Sequence, residues 1–276
     1  MSATVVVYAR PDRPEALEWA RRAYERLRAL GARVYYEASI AGLLSGPGLD
    51  VRLEEFDKAV VIGGDGTLLR FLHLAGEKTP VIHPVRLGRR AFLFEHIPPG
   101  EMLELLAAFL EDRYRVESLP RLWVEHRGWR SIALNEAAVL SMGSKTVSLR
   151  VVVDGSPVYR GLEGDGVIIA TPAGSTAYNY SSGGPVIHPR LRAVALTPVN
   201  PVERQAGSLV VPGGSRVEVL VERTIRPVKL VVDGVEERLL YQGAVVAAWL
   251  GAPEARLARY REEPEQRLPW LQRCSC

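Results

Sequence analysis

The sequence predicts an α/β domain with a parallel sheet, followed by a mostly β domain. Three observations carry this. Strand-like and helix-like patterns alternate over residues 1–115, which requires a parallel sheet covered on both faces. Short apolar runs and turn signals take over across residues 116–252, with few helical patterns. The closing stretch, 253–276, is charged and reads as helical or irregular.

The elements follow in order. Residues 4–8 are a compact β-branched run, the mark of a first strand. Asp12 and Glu15 stand at capping-box spacing ahead of a helical pattern. In that pattern Trp19, Ala23, Leu27 and Leu30 make one apolar stripe, and Gly31 stops the helix. Residues 34–36 predict a second strand and 59–62 a third, followed at once by glycines and a helix over 68–75. A fourth strand falls at 81–85, and Met102, Leu105, Leu106 and Phe109 mark another helix. In the second half, 123–125, 132–134, 147–153, 167–170, 209–211, 216–221 and 228–232 predict strands. Asp154-Gly155 and Asp233-Gly234 sit where hairpin turns belong.

The chain has 276 residues, 47% hydrophobic and 24% charged, which places it with folded domains and gives it length for a sizeable core. A net charge of +3 suits a polyanionic small molecule without requiring one. No dense Lys/Arg tract marks a nucleic-acid binder. Cys274 and Cys276 form no disulfide framework and read as reduced thiols. No signal peptide opens the chain, and no apolar run approaches the ~20 residues of a membrane helix, so a cytoplasmic location without membrane partners is expected.

Three segments carry chemistry. Gly63-Gly64-Asp65-Gly66-Thr67 follows the third strand and opens a helix. Glycines let backbone approach a ligand, and N–H groups at a helix N-terminus favour phosphate. An acid among those donors would repel phosphate, so its use is to take a hydroxyl proton or to organise a metal–phosphate complex. The pattern is neither a Walker loop nor G-x-G-x-x-G. A turn that merely caps a helix through Asp65 is the plain alternative. Asn135-Glu136 ends an apolar run; Asn offers a donor and an acceptor to an adenine edge, and Glu accepts from ribose hydroxyls. Alone, the pair is a weak signal and reads more readily as a polar turn between strands. The longest segment runs Gly164-Asp165-Gly166 through Ala173-Gly174-Ser175-Thr176-Ala177-Tyr178 to Gly183-Gly184. Its small residues let a flat base lie near the backbone, Ser175 and Thr176 offer hydrogen bonds, and Tyr178 offers a stacking face.

Together these segments resemble the NAD kinase family in order and spacing, from about residue 60 to 211. The glycine–acid pentapeptide is shared with diacylglycerol and sphingosine kinases; the segment from Gly164 to Tyr178 discriminates. The resemblance implies a Rossmann-like N-terminal α/β domain over 1–115, rejoined by the tail 253–276, and a sandwich-like β-rich NAD-binding domain over 116–252. It implies phosphorylation of the adenosine ribose 2′-hydroxyl of NAD, with ATP or polyphosphate as donor, Mg²⁺ arriving with the phosphates, and a homodimer or homotetramer. By the same resemblance Asp65 is the catalytic acid. Gly66, Asn135, Glu136, Asp165, Ala173, Thr176, Ala177, Tyr178 and Ser181 bind NAD, and Gly63, Gly64, Thr67 and Arg89 bind phosphate.

The chain departs from the family in two places. Where members often carry G-x-N-x-G-x-L-G-F-L, it keeps Gly88, Phe92 and Leu93 but has Arg86 for the Asn. Arg86, Arg89 and Arg90 read either as phosphate ligands or as solvated arginines. After Leu196-Thr197-Pro198 the His of many bacterial members is missing. The rival functions are a diacylglycerol/sphingosine-type lipid kinase and a catalytically silent nucleotide-binding protein.

Overall fold

The structure is a computed structural model, described for residues 3–88, 91–203, 206–263 and 266. Its contacts divide the chain into two units, Met1–Leu119 with Ala255–Cys276, and Pro120–Glu254.

The first unit is doubly wound. In chain order it contains β1 (Thr4–Ala9), α1 (Pro14–Ala29), β2 (Arg33–Glu37), α2 (Ala38–Ala41), β3 (Gly48–Leu49), β4 (Lys58–Gly63), α3 (Asp65–Ala75), β5 (Val81–Arg86), α4 (Pro99–Glu104) and α5 (Leu106–Leu110). The strands lie parallel in the order β3-β2-β1-β4-β5. Arg256 and Leu257 add a further parallel segment beside Val81 and Ile82. β1 and β4 are Val-rich and buried on both faces because helices cover both. On one face Val5, Val7, Val60 and Ile62 pack with Ala16, Ala20, Ala23 and Leu27 of α1. On the other, Tyr8 meets Phe71 of α3 at 5.5 Å between ring centroids.

Three expectations change here. α1 starts at Pro14 with Arg13 at the N-cap and no side-chain cap, so Asp12 stands one residue too early for a capping box and instead pairs with Arg10. α3 starts at Asp65, so the acid belongs to the helix's first turn. The helix around residue 105 is two short ones, broken at Leu105.

The second unit is a sandwich of antiparallel sheets. β6 (Arg115–His126) pairs with β7 (Trp129–Ala133). There follow β8 (Glu136–Ser141), β9 (Val147–Val153), β10 (Ser156–Gly164), β11 (Gly166–Ala170), a 3₁₀ turn (Gly174–Thr176), α6 (Tyr178–Ser181), β12 (Ala193–Val199), β13 (Leu209–Pro212), β14 (Val217–Arg223), β15 (Val228–Val232), β16 (Glu236–Leu240) and β17 (Val245–Arg259). One sheet runs β13-β12-β11-β8-β15-β16. The other contains β10, β9, β14 and the first residues of β17. The alternate residues Val147, Leu149 and Val151 of β9 interdigitate with Val167 and Ile169 of β11 and Val228, Leu230 and Val232 of β15. Asp154-Gly155 and Asp233-Gly234 make their turns with all four residues at positive φ, as a type I′ hairpin requires.

The closing stretch is corrected over 253–259; 260–263 are irregular, as expected. Residues 253–259 are strand, the second half of β17, and not helical. Cys274 and Cys276 lie outside the described residues.

Candidate active site

In the first unit the chemistry gathers where the parallel strands end. β1 has β2 on one side and β4 on the other, so the loops after β1 and β4 diverge, and that is where doubly wound sheets open a crevice. A cleft of about 610 Å³ lies there. Gly63, Gly64, Asp65, Gly66 and Thr67 line it with Leu87 and Gly88, and Arg10, Arg13 and Glu15 come from the loop after β1.

The glycines differ in purpose. A Cβ at Gly63 would lie 2.3 Å from the Thr67 hydroxyl, so that glycine, at φ +155°, serves close packing, and Thr67 is spent against it. Nothing lies within 4 Å of a Cβ built at Gly66. Glycine in a helix costs about 1 kcal/mol against alanine. No packing requirement explains that cost, so the bare space is available to a ligand.

Asp65 is half-buried and held rigidly. Its two carboxylate oxygens accept the N–H groups of Phe92, at 2.8 Å, and Leu93, at 2.9 Å. Leu87 N–H donates to Gly63 O at 2.6 Å. The backbone at Phe92 and Leu93 thus fixes the acid. Burial pushes the Asp65 carboxyl above its usual range, against the pull of the two N–H donors, Arg86 and Arg259. One lone pair on each oxygen stays available for a hydroxyl.

In the second unit Asn135 and Glu136 are buried, 7% and 8% exposed, where β7 leads into β8. Asp233, from the β15–β16 turn, accepts the N–H groups of Leu134, Asn135 and Glu136 at 2.7, 2.8 and 3.1 Å. Among the described residues, Asn135 Oδ1 and Glu136 Oε2 have no hydrogen-bond partner. Leaving such groups dry is costly, so they point to polar ligand atoms. Burial, with the Asp233 charge second, raises the Glu136 carboxyl to about 8.

The loop after β11 is moulded onto this pair. Thr171 donates its N–H to Asn135 O at 2.9 Å and its hydroxyl to Leu134 O at 2.5 Å. A Cβ at Gly174 would lie 2.0 Å from Asn135 O. Ser175, expected to face a ligand, is instead fully buried, bonding Pro172 O and the Ile187 N–H. Asn179, which the sequence did not single out, locks the turn by donating to Ser175 O and Pro185 O and accepting from Thr197. Ala173 is buried, Thr176 and Ala177 half-buried and Ser181 exposed. Tyr178, 39% exposed, keeps an aromatic face in solvent.

Two expected residues stand apart. Asp165 precedes β11 and accepts from Asn200, whereas Ala170, at the other end of that strand, pairs with Glu136. Five residues of strand put it roughly 16 Å from the Asn135-Glu136 end. Within this unit the structure therefore does not bring Asp165 to the pair. Gly164 and Gly166 beside it are packing glycines, pressed on the backbone oxygens of Asn200 and Val139. Arg89 lies outside the described residues. Arg10 and Arg13, absent from the sequence-based site, were signalled by their place in the loop after the first strand of a parallel sheet.

A glycine–acid cleft on a doubly wound domain, with an adaptable polar pair on a β sandwich, defines a nucleotide phosphotransferase class. The ATP-NAD kinase N-terminal domain model matches residues 5–114, and the ATP-NAD kinase C-terminal domain model matches residues 134–260. The chain belongs to the ATP-NAD kinase family. It is 39% identical to the NAD kinase of Aeropyrum pernix over 79% of this chain and 78% of that protein. It is 34% identical to that of Thermococcus gammatolerans over 96% of each. The structure is similar to that of an Archaeoglobus fulgidus NAD kinase in complex with ATP, with TM-score 0.77 and 30% identity over 98% of this chain and 97% of that one. It shares its fold with yeast NADH kinase complexed with NADH, with TM-score 0.89 and 22% identity over 96% and 86% of the two chains. Neither rival function has support among these matches. Among the described residues no helix is long and apolar enough to cross a membrane.

Proposed function

We propose that the chain transfers the γ-phosphoryl group of ATP to the adenosine ribose 2′-hydroxyl of NAD, giving NADP and ADP. Family membership assigns the NAD kinase activity. The observation that carries the mechanism is Asp65, clamped by two backbone N–H groups beside the bare space at Gly66.

The hydroxyl oxygen attacks the γ-phosphorus and the bond to the β,γ-bridging oxygen breaks. The transition state is loose, so positioning and charge neutralisation dominate. An ordinary aspartate is a weak base for an alcohol. Asp65, raised by burial, orients the hydroxyl and takes its proton late, as the new P–O bond forms. Gly64, at the N-cap of α3 and without a side chain, leaves that helix N-terminus open to phosphate. In this reading Asn135 and Glu136 bind the nucleoside, and Ala173, Thr176, Ala177, Tyr178 and Ser181 border its base.

The donor enters as its Mg²⁺ complex. Among the described residues no cluster of three His, Cys, Asp or Glu could cage a metal, and the acids lining the cleft are Asp65 and Glu15. That donor set fits a cation held mainly by phosphate. The proposed assembly is a homodimer or homotetramer. The proposed location is the cytoplasm.

The test is NADP formation from NAD and MgATP, read by an NADP-specific dehydrogenase, with polyphosphate as a second donor. Product establishes the position of transfer. No product with any donor sinks the reading.

A further inference from the structure

We infer that Arg10 and Arg13 grip the phosphate chain of the donor; the inference rests on the NAD kinase reading above. Both line the cleft together with Gly63, Gly64, Asp65 and Gly66. β1 and β4 run parallel with Ala9 opposite Ile62, so the loops that follow them start from neighbouring strand ends, on either side of the crevice.

The two arginines are prepared differently. Arg10 is aimed by Asp12: its Nε donates to Oδ1 at 2.8 Å and its terminal nitrogen donates to Oδ2. That fork holds the guanidinium while leaving other N–H groups for phosphate, the geometry in which arginine binds oxyanions best. Arg13 makes no side-chain hydrogen bond or ion pair among the described residues, unlike the paired surface arginines of α1, Arg21, Arg22 and Arg26. It stands directly before Pro14, the first residue of α1. The N-termini of α1 and α3, 16 and 11 residues long, both border the cleft, and neither carries a side-chain cap.

Charge balance names the form of the ligand. Among the described residues the lining carries two arginines and two acids, Asp65 and Glu15, and Arg10 is already paired with Asp12. From these residues a bare triphosphate meets no net positive charge, whereas a metal-complexed one carries less charge and is received. Among the described residues the lining holds no aromatic ring, so the grip is assigned to phosphate and not to the base. The competing source of phosphate is the pyrophosphate of NAD itself, and the experiment separates the two.

The test compares the full chain with Arg10→Gln, Arg13→Gln and the double variant in steady-state NADP formation. The inference expects KM for MgATP to rise about tenfold in each single variant and by more in the double, with Arg13→Lys restoring part of the loss. KM for NAD and kcat at saturation stay within about twofold. MgGTP shows the same loss as MgATP. An unchanged KM for MgATP in the double variant, or a rise confined to NAD, overturns the inference. Unaltered melting temperatures are expected, since both side chains lie on a loop. If the wild type makes no NADP, the NAD kinase reading fails separately. Calorimetric titration with Mg-tripolyphosphate then decides the grip: weaker binding by the double variant supports it, and equal binding overturns it.

Discussion

Binding of NAD should expel a proton from Glu136. The carboxyl is buried, one of its oxygens has no partner among the described residues, and burial raises it to about 8. At pH 7 it is then about nine-tenths protonated in the free protein. A ribose hydroxyl donating to this group favours the ionised form and lowers the value again. A carboxyl that is fully ionised in the complex releases about 0.9 proton per NAD bound at pH 7. Affinity for NAD then rises by up to about eightfold per pH unit around neutrality. The assay is calorimetric titration at pH 7 in buffers of different ionisation enthalpy. The slope of observed against buffer enthalpy counts the protons. Glu136→Gln should bind more weakly and give a slope near zero. A wild-type slope near zero, or the same slope in the variant, refutes the reasoning.

The other predictions concern what holds the site. Gly66→Ala should leave the melting temperature equal or higher, because alanine favours the helix, while kcat/KM falls about tenfold or more; a fully active variant removes the ligand from that space. Asp233→Ala should cost about 3 kcal/mol or more, since three buried N–H groups lose a charged acceptor, and hydrogen exchange at residues 134–136 should quicken. Unchanged exchange there would contradict the anchoring role. His83 is buried, bonded to Tyr260 and Met102 O, and burial lowers it to about 3. Its folded value lies below the unfolded ~6.5, so the unfolded chain takes up the proton first and stability falls as pH drops below 6.5. The loss reaches about 2 kcal/mol at pH 5, and a His83→Gln protein with an equally steep decline between pH 7 and 5 would exclude His83 as its source.

Much of the fold was legible because burial wrote itself into composition. β4 and β15 are continuous or alternating β-branched runs, and their bounds could be read within a residue. β17 was not legible: no strand was expected over 245–250, and 253–259 read as helical or irregular. Its second half is rich in Ala, Glu, Arg and Leu, all good helix formers, yet pairing with Val81 and Ile82 holds it as strand. Arg259 of that strand is 1% exposed and bonded to Glu117, a buried charge that no apolar pattern announces. Within the site, Asp65 was legible from its glycines. Asp233 read as a turn residue, and its second role depends on partners 97 to 99 residues away. Ser175 shows the converse: a hydroxyl in a promising loop, consumed by the loop's own backbone.

The most direct test of the account is turnover of Asp65→Asn at saturating NAD and MgATP, with NAD affinity measured alongside. The account predicts that kcat falls ~100-fold or more while NAD still binds. A variant that turns over at the wild-type rate would remove Asp65 from the chemistry and contradict the mechanism at its centre.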